Sequence, residues 1–157
     1  MRRASDETLA VTYLLRGDLG SLRIPPFELP RRGDKLWQHT CFEAFVRSKG
    51  EAAYHEFNFS PSSEWAAYRF RNYREAAPFA DESPLMEIKL SRDGQLLQLD
   101  AVVRIAISGT LQLALSAVLE YNDGTLAYWA LKHPAGKPDF HHAEAFALTL
   151  DNDEIRN

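Results

Sequence analysis

The sequence predicts an all-β fold, a two-sheet antiparallel β-sandwich of jelly-roll or immunoglobulin-like type with about nine to ten strands. Three observations lead there. Apolar and polar residues alternate with a period of two along most of the chain, which places successive side chains on opposite faces of a half-buried strand. Gly- and Asp-containing turns separate neighbouring alternating runs, as hairpins require. No stretch carries the period of a long amphipathic helix.

The first run, Leu9 to Arg16, alternates Leu9, Val11, Tyr13 and Leu15 with Ala10, Thr12, Leu14 and Arg16. A short run with Leu22 and Ile24 follows Gly17-Asp18, and Pro25-Pro26 stops it. Phe27 to Lys35 reads as loop. Leu36 to Arg47 reads as one long strand, turned at Ser48-Lys49-Gly50-Glu51 into a partner from Ala52 to Ser60. Trp65 to Tyr73 forms an aromatic-rich strand, and Ala76 to Ser83 a loop around Pro78. Met86, Ile88 and Leu90 pair through Asp93-Gly94 with Leu97 to Ile105 in a second hairpin. Leu111 to Leu119 pairs through Asn122-Asp123-Gly124 with Leu126 to Lys132 in a third. His133 to His142, with Pro134, Gly136 and Pro138, is irregular. Phe146, Leu148 and Leu150 close the chain as a last strand, and Asp151 to Asn157 is expected to fray.

With 157 residues and no linker or repeat to divide it, the chain is expected to form one domain over residues 1–157. Its 22 acidic residues outnumber 18 Lys and Arg, and no basic block occurs, which argues against a nucleic-acid partner. The longest charge-free stretch, Ile105 to Leu119, is too short and too interrupted by polar residues to span a bilayer, so no membrane segment is expected. Cys41 is the one cysteine, and the opening residues lack an apolar signal core; a cytoplasmic location is the expectation.

Chemistry concentrates in Leu36 to Phe45 (LWQHTCFEAF) and Tyr54 to Pro61 (YHEFNFSP). On the first strand Trp37, His39, Cys41, Glu43 and Phe45 fall on one face. On the second, Tyr54, Glu56, Asn58 and Ser60 fall on one face and His55, Phe57 and Phe59 on the other. A polar row in the middle of a strand implies solvent or a ligand on that side, because buried polar groups are costly unless paired. Glu43, Glu56 and Asn58 supply donors and acceptors for hydroxyls, and Trp37, Trp65, Tyr68 and Trp129 supply flat surfaces for a sugar ring. The alternative reading of the same letters is a solvated sheet face with aromatic cross-strand pairs.

These two segments resemble the DOMON superfamily and the related family 9 carbohydrate-binding modules. There, a strand with a Glu in a "Cys or Val, any, Glu, any, Phe" setting precedes a "Tyr, any, Glu, Phe, any, Asn, any, any, Pro" strand. More narrowly, Leu36 to Phe70 with Leu115 to Val118 and Tyr128 to His142 looks like a bacterial DOMON-like group. The resemblance implies a β-sandwich with a ligand pocket against one sheet, taking sugars or haem. Haem sites of such domains commonly use Met with His or Lys, whereas the one internal methionine, Met86, sits in an apolar alternation as a core residue would.

The loop His133 to His142 is the second candidate. His133, Lys137, Asp139 and His141 stand on a Pro-stiffened segment suited to line the mouth of a pocket. Its histidines and Asp139 are competent ligands for a divalent metal ion, although their spacing matches no closed zinc motif. Arg69, Arg71 and Arg74, alternating with aromatic residues, offer an anion-binding face or a snorkelling one. The resulting expectation is non-catalytic binding of a small sugar-like ligand, with no firmly implied cofactor. Its rivals are a haem- or metal-binding domain and a hydrolase that uses Glu43 with Glu56 or a loop metal.

Overall fold

Alternating sequence runs become the strands of two sheets. The structure, a computed structural model, describes residues 2–5, 8–79, 84–107 and 109–151. Its strands are β1 (Arg2–Ser5), β2 (Thr8–Arg16), β3 (Arg31–Arg32), β4 (Cys41–Ser48), β5 (Tyr54–Phe59), β6 (Glu64–Asn72), β7 (Glu75–Ala77), β8 (Leu85–Asp93), β9 (Leu96–Arg104), β10 (Leu111–Glu120), β11 (Leu126–Ala130) and β12 (Leu148–Leu150). The smaller sheet runs β1-β2-β9-β8, and the larger runs β11-β10-β4-β5-β6-β3, with β7 added to β6 and β12 to β10. All pairings are antiparallel except β3 with β6. The three expected hairpins form, β4-β5, β8-β9 and β10-β11. Gly94 (φ 55°) and Gly124 (φ 86°) supply the left-handed backbone at two of their turns.

The core lies between the sheets. Phe42, Ala44 and Val46 of β4, Phe57 and Phe59 of β5, and Leu111 and Leu113 of β10 meet Leu9, Val11, Leu97, Leu99, Ala101 and Val103 of the smaller sheet. Burying each large side chain contributes about 1.5–3 kcal/mol. Tyr13 crosses this core: its hydroxyl donates to the Glu43 carbonyl oxygen at 2.6 Å, tying β2 to the back of β4.

The expected strand Leu36 to Arg47 divides in two. Leu36–Gln38 is a 3-10 turn entered through Lys35 in the left-handed region (φ 55°), and the strand begins only at Cys41. Thr40 fixes the junction, donating to the Arg23 carbonyl at 2.8 Å and accepting from the Glu120 N–H at 3.0 Å. Leu22 makes an isolated bridge to Tyr121 instead of a strand. Glu75–Ala77, whose last two residues were expected to open a loop, pairs with β6. Arg31–Arg32, inside the stretch Phe27 to Lys35 expected to be loop, pairs with β6, and Arg2–Ser5 pairs with β2; strands this short carry no alternation to read. Residues 80–83 and 152–157 lie outside the described residues, as does the side chain of Met86, so neither the frayed tail nor a core role for Met86 is addressed. No helix of the described residues is long and apolar enough to cross a membrane.

Candidate functional site

The outer face of the larger sheet is where the alternation turns unusual. Cross-strand register puts Ser116, Glu43, Asn58 and Ala66 in one row across β10, β4, β5 and β6, and Ala114, Phe45, Glu56 and Tyr68 in the next. Glu43 and Glu56 are therefore diagonal neighbours. This face is polar but not solvated: Glu43 is 2% exposed, Glu56 5% and Asn58 0%.

What covers it is the segment between β11 and β12. Phe140 and His141 fold over the sheet, and Phe146 and Ala145 pack with Phe45, Tyr54 and Ala114. Asp139 clamps this segment to the β6-β7 turn, accepting from the Tyr73 hydroxyl at 2.5 Å, from the Arg74 guanidinium at 3.0 Å and from the His141 N–H at 3.1 Å. The His141 ring lies edge-on to Phe45 and Phe70, each 5.0 Å between centroids. Its Nδ1 is 2.8 Å from the Tyr54 hydroxyl, which itself accepts from the Arg74 N–H at 3.0 Å. With that phenol oxygen so engaged, Tyr54 donates to Nδ1, and the Nε2–H faces a Glu56 carboxyl oxygen at 3.5 Å.

Between the sheet and this cover opens a cavity of about 420 Å³. Glu43, Glu56 and Val118 form its floor, Arg74 and His141 one side, and Trp37, Tyr68, Phe70, Tyr128, Pro138 and Phe140 its walls. Trp37 and Tyr68 meet edge to face at 6.1 Å. The volume falls in the range of roughly 300–1,000 Å³ typical of small-molecule sites.

Electrostatics on the floor follow from burial. Desolvation, reinforced by the neighbouring Glu56, raises the Glu43 carboxyl to about 8, against a lowering by the hydrogen bond that Ser116 Oγ donates at 3.1 Å. Desolvation raises Glu56 to about 7, opposed by the Asn58 amide and the Arg74 charge. Desolvation, with the Arg74 charge, lowers His141 to about 4, so its imidazole is neutral near pH 7. The Asn58 amide, fully buried beside the two carboxyls, acts on Glu56 without reaching ordinary hydrogen-bond geometry, so its polar atoms are poorly satisfied.

Of the sequence-derived candidates, Trp37, Glu43, Glu56, Tyr68 and His141 line this cavity. Tyr54, Asn58 and Asp139 buttress it from the sheet or the loop. Five others lie elsewhere. His39, thrown off the strand face by the 3-10 turn, has its Nδ1 2.8 Å from Glu120, which Arg23 also holds at 3.1 Å. This also separates His39 from Cys41, a buried thiol whose titration desolvation pushes well up. Trp65 points inward and is 8% exposed, with the Arg32 guanidinium 5.6 Å from its ring, so it is a core residue and no stacking platform. Trp129 pairs with Ala117 on the inward-facing side of β10 and opens onto a different cavity. His133 and Lys137 are exposed on the loop and do not line the cavity.

That other cavity, about 780 Å³, lies between Thr12–Leu22 and the β10-β11 edge. Some of its polar side chains are already engaged, the Tyr13 hydroxyl on Glu43, Ser21 Oγ on the Asp18 carbonyl and Thr12 Oγ1 on Asp100, while Arg16, Tyr121 and Trp129 also line it. It is larger than the first, and among the described residues no pair of buried carboxyls lines it. Among the described residues no three His, Cys, Asp or Glu side chains converge as a metal site.

Sequence reasoning did not assign Phe70, Arg74, Tyr128, Pro138 or Phe140 to the site. Phe70 could have been found from its alternation with Tyr68. Tyr128 could not, because only the β10-β11 register, Val118 opposite Tyr128, brings it to this face.

No protein-family model and no curated protein sequence matches the chain. Solved structures do. A crystal structure of a candidate carbohydrate-binding protein from Bacteroides uniformis superposes with a TM-score of 0.67 at 16% identity, over 93% of this chain and 73% of that one. A family 9 carbohydrate-binding module from Caldicellulosiruptor kristjanssonii, in complex with cellotriose, gives 0.57 at 9% identity over 83% of this chain and 63% of its own. The same source's family 9 module with glucose gives 0.54 at 8% identity, over 83% and 64%. The chain shares their β-sandwich fold. It spans less than two thirds of the length of either family 9 module.

Proposed function

We propose that this chain is a DOMON-like module that binds a sugar in the 420 Å³ cavity without transforming it. The carrying observation is the floor: Glu43 and Glu56, nearly dry, stand beside the poorly satisfied Asn58 amide beneath aromatic walls. Sugar hydroxyls both donate and accept, so they match protonated carboxyls that also do both, and the apolar face of the ring packs on Trp37 or Tyr68. The fold shared with carbohydrate-binding proteins supports this reading.

Binding is favoured over hydrolysis by the same floor. A glycosidase pair needs one carboxyl protonated and its partner ionised. Here burial raises both, to about 8 and about 7, and although Asn58 and Arg74 favour ionisation of Glu56, it stays well above the ordinary carboxylate range, so below neutral pH both are chiefly protonated.

The test is a thermal-shift series with glucose, galactose, glucosamine, N-acetylglucosamine and cellotriose, repeated on Glu56→Ala. Ligand at about 100 Kd adds about 2.7 kcal/mol to stability. The reading expects a sugar that raises Tm in the parent protein and not in the variant. A panel without any shift, or a shift that survives Glu56→Ala, overturns it.

A further inference from the structure

Once its floor carboxyls ionise, the charges that face the cavity do not balance locally. Glu43 comes from β4 and Glu56 from β5, Arg74 from the β6-β7 turn, and Asp139 and His141 from the covering segment, with the phenols of Tyr54 and Tyr68 beside them. The single formal cation, Arg74, is already bound to Asp139 at 3.0 Å. His141 spends Nδ1 on Tyr54 and keeps Nε2 3.5 Å from Glu56. Among the described residues the two floor carboxyls thus share only the distant charge of Arg74, which Asp139 holds, and the Asn58 amide beside them is fully buried and poorly satisfied. Independently, the rings of Trp37, Tyr68, Phe70, Tyr128 and Phe140 surround the same space. Aromatic faces ringed about carboxyls are the surroundings in which an ammonium group is held, by ring quadrupoles on the sides and anions beneath.

We propose that the sugar taken by this cavity carries an ammonium group, as a 2-amino sugar does, and that the ammonium sits between Glu43 and Glu56 against the aromatic wall. This rests on the sugar-binding reading above and narrows its ligand class. Seating a cation there favours the ionised carboxyls, so binding expels protons from the Glu43-Glu56 pair; a neutral sugar expels none.

Titration calorimetry at about pH 6.5, in two buffers of different ionisation heat, tests this with glucosamine, glucose, N-acetylglucosamine and ethanolamine. Glucosamine is expected to bind at least about tenfold tighter than glucose or N-acetylglucosamine, a difference of about 1.4 kcal/mol. Its apparent enthalpy should change with the buffer, and that of glucose should not. In Glu56→Gln, with an unchanged circular dichroism spectrum, the preference should collapse. The double variant Glu43→Gln/Glu56→Gln should abolish the buffer dependence even if its stability differs. Glucose binding as tightly as glucosamine overturns the ammonium assignment and leaves the sugar-binding reading standing. Silence from all four compounds and from the neutral sugars of the earlier panel removes both. Ethanolamine matching glucosamine overturns the amino-sugar assignment, since the ring is then not read.

Discussion

Glu43 and Asn58 face each other across β4 and β5, and the carboxyl takes its hydrogen bond from Ser116 on the other side while the Asn58 amide makes none of ordinary geometry. An unsatisfied buried amide costs about 1–3 kcal/mol. Its removal therefore recovers much of what the lost packing takes away. Asn58→Ala should change stability by less than about 1 kcal/mol, whereas Phe57→Ala, on the core side of the same strand, should lose about 3–5 kcal/mol. Urea unfolding of both variants measures the contrast. An Asn58→Ala loss as large as that of Phe57→Ala would show that the amide is satisfied in solution.

Stability should vary with pH in a way set by two opposing pairs. Glu43 and Glu56 have folded values raised to about 8 and 7, so from about pH 4.5 upward the folded state holds more protons than the unfolded chain. Their contribution to stability then falls until pH 8, by about 1.4 kcal/mol per unit of difference. His55 and His141, both lowered to about 4 chiefly by burial, act in the opposite sense: their contribution is present above the ordinary histidine value and lost as pH falls through 4. The two trends offset each other between about pH 4.5 and 6.5 and leave a plateau there. Above it, stability should decline toward pH 8, and Glu43→Gln should flatten that decline. Chemical unfolding at intervals from pH 4 to 9 gives the curve; a parent protein most stable at pH 8 contradicts the assignment.

Trp37 and Trp65 should separate binding from folding. Trp37 is 40% exposed at the cavity mouth and Trp65 8% exposed in the core. Trp37→Ala is expected to leave stability within about 0.5 kcal/mol of the parent and to weaken the sugar by about tenfold or more. Trp65→Ala should cost about 3–5 kcal/mol instead. Unfolding curves and calorimetry on the two proteins decide it.

Asp139 holds the cover down, and its partners Tyr73 and Arg74 are exposed enough that the ion pair alone stabilises by no more than about 1 kcal/mol. Asp139→Ala should thus leave global stability almost unchanged, speed amide exchange at 139–146 and weaken sugar binding through a displaced His141. Exchange unchanged at His141 would show that Phe140 and Phe146 anchor the segment without the clamp.

Most of the sheet framework was legible because a half-buried strand must alternate, and Leu9 to Arg16 or Leu97 to Ile105 do so plainly. The break at Trp37 was not, since Leu36, Trp37 and Thr40 satisfy a strand pattern equally well, and tertiary bonds from Thr40 to Arg23 and Glu120 decide otherwise. The same break explains why His39 parted from Glu43. The polar face of β5 was visible as Glu56 and Asn58, but its burial depends on the covering loop, whose contacts with Tyr54, Tyr73 and Arg74 span 65 residues or more in sequence where Asp139 and His141 are concerned. Trp65 and Trp129 looked like ring-stacking residues because composition cannot say which sheet face an aromatic occupies; register can.

β11 and β12 pair with the same edge of β10, at Ser116–Glu120 and Leu111–Leu113 respectively. Leu131 to Ala147, which supplies Pro138, Phe140 and His141 to the cavity, is therefore an excursion that leaves and rejoins one strand. Its length and composition can change while both stems stay in place, so this stretch is a cassette. A protein built this way can acquire a new ligand preference by exchanging one contiguous segment, with the carboxyl floor and the sandwich beneath it carried over intact.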